Sequence, residues 1–114
     1  MPGLRAACDP PYGRTNFQSF WIALPENFPV TRDDLLRRLM AFGISARRGF
    51  MAAHLEAAYS GVSRIDLPVT ERLTRQTLIL PLFHDLREDE QQRVIDVIRD
   101  CAELKAGRSR LTIF

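Results

Sequence analysis

The sequence predicts an α+β domain: a small antiparallel or mixed sheet of about three strands with helices packed on a face. Three observations carry that prediction. Short apolar runs of strand length alternate with segments whose apolar residues recur at helical spacing. The inferred order is strand, helix, strand, short helix, helix, strand, helix. A length of 114 residues suits one domain, and no internal repeat or low-complexity tract interrupts it.

Residues 1–16 read as an irregular lead-in or linker, punctuated by Pro2, Gly3, Asp9, Pro10, Pro11 and Gly13. A folded domain rarely begins with such a segment unless something precedes it. The domain proper is expected over 17–106, with 107–114 as a tail. Phe17 to Leu24 is the first strand candidate, with Phe17, Ser19, Trp21 and Ala23 on one face and Gln18, Phe20, Ile22 and Leu24 on the other. Large apolar groups on both faces suggest cover on both sides. Pro25 and Pro29 stop the strand.

Thr31 is a good N-cap for the next element, with Asp34 at the third helical position. Val30 and Leu35 occupy the two staple positions. Leu35, Leu36, Leu39 and Met40 are the expected buried stripe, with Asp33, Asp34, Arg37 and Arg38 facing water. Gly43 closes this helix. Ile44 to Arg48 is short and extended, and Gly49 to Ala53 breaks every period. His54 to Ser60 reads as one or two helical turns. Leu67 to Thr77 reads as a helix with Asp66 as candidate cap and Pro68 in its first turn, where a missing N–H costs nothing. Leu78 to Leu82 is a short strand whose Pro81 argues for an edge or a bulge. Arg87 to Ala106 is the longest helix, with Val94, Ile95, Ile98, Cys101 and Ala102 as its apolar face. Leu111 to Phe114 is a candidate final strand or a dangling end.

Composition narrows the function classes. Residues of the apolar set make up 46% and charged ones 26%, which excludes a disordered tail, a collagen-like repeat and a disulfide scaffold. The longest apolar runs fall far short of the ~20 residues of a membrane helix. The N-terminus lacks the apolar stretch of a signal peptide. Cys8 and Cys101 have neither metal nor redox spacing, so a cytoplasmic setting is expected. Fifteen arginines and one lysine, Lys105, offset fourteen acids to a net charge of +2. The basic residues are spread along the chain, whereas nucleic-acid binding needs a clustered positive face.

His54 and His84 stand thirty residues apart, without the three or four converging ligands of a zinc site. The serines lack a nucleophile elbow, and no glycine-rich phosphate loop exists. The most informative segment is Arg47-Arg48-Gly49-Phe50-Met51-Ala52-Ala53-His54. A guanidinium fork suits a phosphate or carboxylate, and a histidine donates or accepts near neutral pH. The same segment also reads as a surface loop with two solvated arginines and Phe50 tucked into the core.

At this point the sequence resembles a known family. Residues from about 12 to 104 look like the C-terminal small domain of the DegT/StrS sugar aminotransferases, pyridoxal phosphate enzymes of the aspartate aminotransferase fold type. The resemblance rests on Arg32-Asp33, Gly43-Ile44, His54, Tyr59, Leu67-Pro68, Glu71-Arg72 and Leu80-Pro81-Leu82, in that order. It departs at Arg87, where many relatives carry a Thr or Ser cap. The resemblance implies transfer of an amino group to a keto sugar attached to a nucleotide. It implies that the cofactor and its Schiff-base lysine lie in a large N-terminal domain with no counterpart in this sequence. By that analogy the chain has no catalytic residue and binds no cofactor alone. Arg47, Arg48, Phe50, His54 and Tyr59 are then the substrate-proximal residues.

Two functions follow as expectations. In one, the chain supports transamination only with a large domain in cis or in trans. In the other, it is a stand-alone binding module for a nucleotide sugar or a protein, self-associating through Phe17, Phe20 and Trp21 or through the Phe50 loop. The resemblance also implies a dimer as the common state of such enzymes, so a homodimer is one expectation for this chain.

Overall fold

The computed structural model of the chain describes residues 1–62 and 65–104. The expected final strand, the tail and Lys105 lie outside the described residues. The chain forms an antiparallel four-stranded sheet with two helices packed on one face, the α+β class expected from the sequence. The strands are β1 (Arg5–Ala6), β2 (Phe20–Ala23), β3 (Arg47–Arg48) and β4 (Thr77–Leu80), in the order β1-β2-β4-β3. The helices are α1 (Arg32–Ala41), α2 (Pro68–Gln76) and α3 (Glu88–Ala102). Two single 3₁₀ turns, Ala53–Leu55 and Ala57–Tyr59, connect β3 toward α2.

Three strand expectations change. Arg5–Ala6 in the lead-in pairs with β2, and the Ala7 N–H donates to the Trp21 carbonyl at 2.9 Å. Two residues cannot display an alternation, so periodicity missed this strand. The strand containing Leu78 is central, paired with β2 and β3, rather than at an edge. It ends at Leu80, so Pro81 never has to donate to the ladder. The strand expected from Phe17 begins only at Phe20 because Phe17 adopts φ +47°. That left-handed backbone costs a non-glycine residue about 1–2 kcal/mol. It is held by Thr15 Oγ1, which accepts from the Phe17 N–H, and by Asn16 Oδ1, which accepts from the Gln18 N–H.

Alternation along β2 and β4 places Phe20, Ile22, Leu78 and Leu80 against the helices. Ile22 and Leu78 join Leu24, Leu35, Leu39, Ile44, Val97, Ile98 and Cys101 in one core cluster. Burying each such aliphatic side chain contributes about 1.5–3 kcal/mol. The α1 start is capped as expected: Thr31 Oγ1 accepts from the Asp34 N–H at 3.1 Å. Its end is a Schellman motif, with Gly43 N–H donating to Met40 and Ile44 N–H to Leu39. Gly43 takes φ +73°, which glycine adopts at no steric cost. The buried stripe is Leu35 and Leu39, while Met40 is 71% exposed, because only the i, i+4 pair points straight at the sheet.

On α3 the buried residues are Val97, Ile98 and Cys101, with Val94 half-buried and Ile95 exposed. The stripe runs 94, 97, 98, 101, so Val97 replaces the expected Ile95. Arg87 replaces a hydroxyl cap by a different arrangement. Its N–H donates to Glu90 Oε2 at 3.0 Å, and its guanidinium pairs with Asp89 and Glu90. That pairing raises the Arg87 pKa and lowers that of Asp89. For α2, Leu67 rather than Asp66 occupies the N-cap and no side chain caps the helix.

Candidate functional site

The face of the sheet turned away from α1 and α3 is built by cross-strand register. Arg47 on β3 lies opposite Ile79 on β4, which lies opposite Trp21 on β2. All three therefore share one face. Arg47 is exposed there, beside an open cleft lined by Ser19, Ser45, Ile79 and Pro81. Phe50 turns onto the same face, its ring 6.1 Å from that of Trp21 at a tilt of 60°. An exposed arginine on the same sheet face as two half-open aromatic rings is chemistry suited to an anionic group joined to a planar one.

The loop that leaves β3 is fastened to the start of β4. Gly49 N–H donates to the Thr77 carbonyl at 3.0 Å, and Phe50 N–H to Thr77 Oγ1 at 2.9 Å. A Cβ at Gly49 would lie 2.4 Å from that oxygen, so the close approach admits only glycine. Ala52 is then buried, and the first 3₁₀ turn presents His54. Its Nε2 lies 3.1 Å from Glu71 Oε1 on α2, and both side chains are largely buried. Tyr59 stands exposed on the second turn. Among the described residues no cluster of His, Cys, Asp or Glu is fit to hold a metal.

Arg48 points the other way. As the strand neighbour of Arg47 and partner of Leu78, it sits on the helix side, with Nη2 3.9 Å from Asp33 Oδ2. Asp33 also accepts from Arg32 Nε at 2.6 Å. The Arg32 hydrogen bond, with help from Arg48 and Arg37, holds the Asp33 carboxyl below its ordinary pKa of 3.8. The two adjacent arginines thus do not form one fork. Of the sequence-derived candidates, Arg47 and Phe50 converge on one sheet face, His54 and Tyr59 follow on the adjoining turns, and Arg48 belongs to the α1 side.

Three contributors escape sequence reasoning. Trp21 and Ile79 form the floor of the face, and only strand register brings them beside Arg47. Glu71 partners His54 across seventeen residues, whereas Glu56 is the acid nearby in sequence. The Leu67-Pro68 and Glu71-Arg72 motif was the one signal pointing there.

Comparison with known proteins places this fold. The sequence profile of the DegT/DnrJ/EryC1/StrS aminotransferase family matches residues 4–99. The chain belongs to that family. GDP-perosamine synthase of Caulobacter vibrioides is 32% identical over 83 residues, 73% of this chain and 22% of that protein. The structure of DesI in the presence of its TDP-sugar product matches with a TM-score of 0.81 at 32% identity, over 89% of this chain and 26% of that one. DesV of S. venezuelae, in complex with a ketimine intermediate, matches with a TM-score of 0.73 at 30% identity, over 91% and 28%. The chain therefore spans only about a quarter of the length of these relatives.

Pyridoxal phosphate, which the resemblance implies for a complete enzyme, does not fit the described residues. An imine to its aldehyde needs a lysine amine, and no lysine stands among them. Guanidinium and imidazole groups do not replace it.

Proposed function

We propose that this chain is the C-terminal small domain of a cytoplasmic, pyridoxal phosphate-dependent nucleotide-sugar aminotransferase. It caps an active site whose cofactor and lysine are supplied by a large domain, in cis or in trans. Arg47, Phe50, His54 and Tyr59 face the keto-sugar substrate, and Arg48 supports them from the opposite side of β3. The observation that carries this reading is the sheet face of Arg47, Trp21 and Phe50, which α1 and α3 leave uncovered. The family membership and the partial coverage of the relatives support it, as does the sugar nucleotide in the DesI structure.

The residues have separable tasks in this reading. Arg47 offers a forked cation to a phosphate. Phe50 gives the loop an apolar wall that excludes water. His54, oriented by Glu71, hydrogen-bonds a sugar hydroxyl or carbonyl. None of them is asked to form a covalent bond.

The test pairs the chain with the lysine-bearing large domain of a family member. Arg47→Ala and His54→Ala are each expected to raise the KM for the nucleotide sugar by about tenfold to hundredfold, the worth of one charge-assisted hydrogen bond of about 1.5–3 kcal/mol. Both variants are expected to melt like the parent chain. Unfolding of the isolated variants, or an unchanged KM, contradicts the assignment.

A further inference from the structure

The geometry points to Thr77 as the positioning residue for the Arg47–His54 loop, an inference that rests on reading this loop as substrate-facing. Thr77 begins β4 and its side chain is fully buried. Its hydroxyl donates to the Leu73 carbonyl at 2.6 Å and accepts from the Phe50 N–H at 2.9 Å. A hydroxyl has one proton and two lone pairs, so both bonds are satisfied together. Its carbonyl accepts from the Gly49 N–H at 3.0 Å and from Arg32 Nη1 at 3.1 Å.

One residue thereby ties the last turn of α2, the first residue of α1 and the first two residues of the loop. The direction in which Phe50 leaves β3 follows from where its N–H must go. Gly49 sharpens the constraint, because any side chain there would strike Thr77 Oγ1 and the Thr77 Cβ, at 2.4 and 2.6 Å. Core packing alone does not ask for this. Valine would fill the same volume as threonine, but it would leave a half-buried N–H without an acceptor. The hydroxyl is needed by the loop.

The chain carries its own reporter, since its one tryptophan is Trp21, whose ring meets Phe50 at 6.1 Å. Native-state amide hydrogen exchange is measured on the full chain alongside Trp21 emission. T77V is expected to speed exchange at the Gly49 and Phe50 amides at least about tenfold and to red-shift Trp21. T77S keeps both hydroxyl bonds and is expected to match the parent in both readouts. G49A is expected to reproduce the T77V effect at Phe50. The Val97 and Ile98 amides of α3 are expected to keep parental rates in all three.

An unmoved Phe50 amide in T77V overturns the inference. So does equal acceleration in α3, a T77S that does not restore the loop, or a T77V that fails to fold while T77S folds. The substrate-facing reading stands or falls separately, on the KM of the Arg47 and His54 variants. A loop loosened by T77V beside an unchanged KM for those variants would leave Thr77 as an anchor of a loop without that role.

Discussion

Arg32 is the residue whose behaviour departs most from its local sequence. It sits in the first turn of α1 between polar neighbours, yet its side chain is 8% exposed. Nη1 donates to the carbonyls of Thr74 and Thr77, 42 and 45 residues away, while Nε holds Asp33. Nothing within a helical turn announces those acceptors. The Thr31–Asp34 cap was legible because its partner lies three residues on. Asp33 gives this network a pH signature. Its carboxyl titrates below 3.8 when folded and near that ordinary value when unfolded. The stability it adds is fully present above the unfolded value and is lost as the pH falls through the folded one. Urea denaturation of the parent chain and of Asp33→Asn is expected to show a gap at neutral pH that closes in acid. A gap that persists unchanged in acid contradicts the pairing.

At the scale of elements, α1 and α3 were readable in place and length to within a few residues. Each carries a start signal and a repeated apolar stripe, and each packs on the core. Among the shorter elements, α2 lies within the helix expected over Leu67 to Thr77 and β3 within the extended stretch expected over Ile44 to Arg48, whereas β1 was not readable. β1 and β3 are two residues each and exist only because β2 and β4 offer them free edges. α2 keeps Leu67 and Val69 exposed at its start, so its apolar residues do not report a buried face. Its C-terminal end is instead fixed by Arg32, whose guanidinium takes the Thr74 carbonyl at 2.7 Å in the manner of a cation at a helix C-terminus. Arg32→Met keeps the length of the side chain and removes the donors. It is expected to lower the unfolding free energy by about 2–3 kcal/mol, the value of hydrogen bonds from a buried charged group, as read by urea denaturation. A loss within about 0.5 kcal/mol, ordinary for a surface substitution, would show that α2 is held by something else.

Over the whole molecule, the family was legible because several short motifs occur in one order, and that order survives without knowledge of register. The site face was only half legible. Arg47, Phe50 and His54 could be named from one continuous segment. Their floor of Trp21 and Ile79 could not, since it is assembled from two strands 58 residues apart in register. The same arithmetic separates Arg47 from Arg48, which a linear reading groups together and a pleated strand sends to opposite faces. The sheet face opposite α1 and α3 carries Arg47, Trp21 and Phe50, with Met51, Leu55 and Tyr59 exposed on the adjoining loop and turns, and the proposed function has a large domain cover it. Reconstitution tests that most directly. Transamination of a nucleotide keto sugar is assayed with the chain, pyridoxal phosphate and an amino donor, with and without a lysine-bearing large domain of the family. Turnover is expected only when the large domain is added. Turnover by the chain and cofactor alone would contradict it.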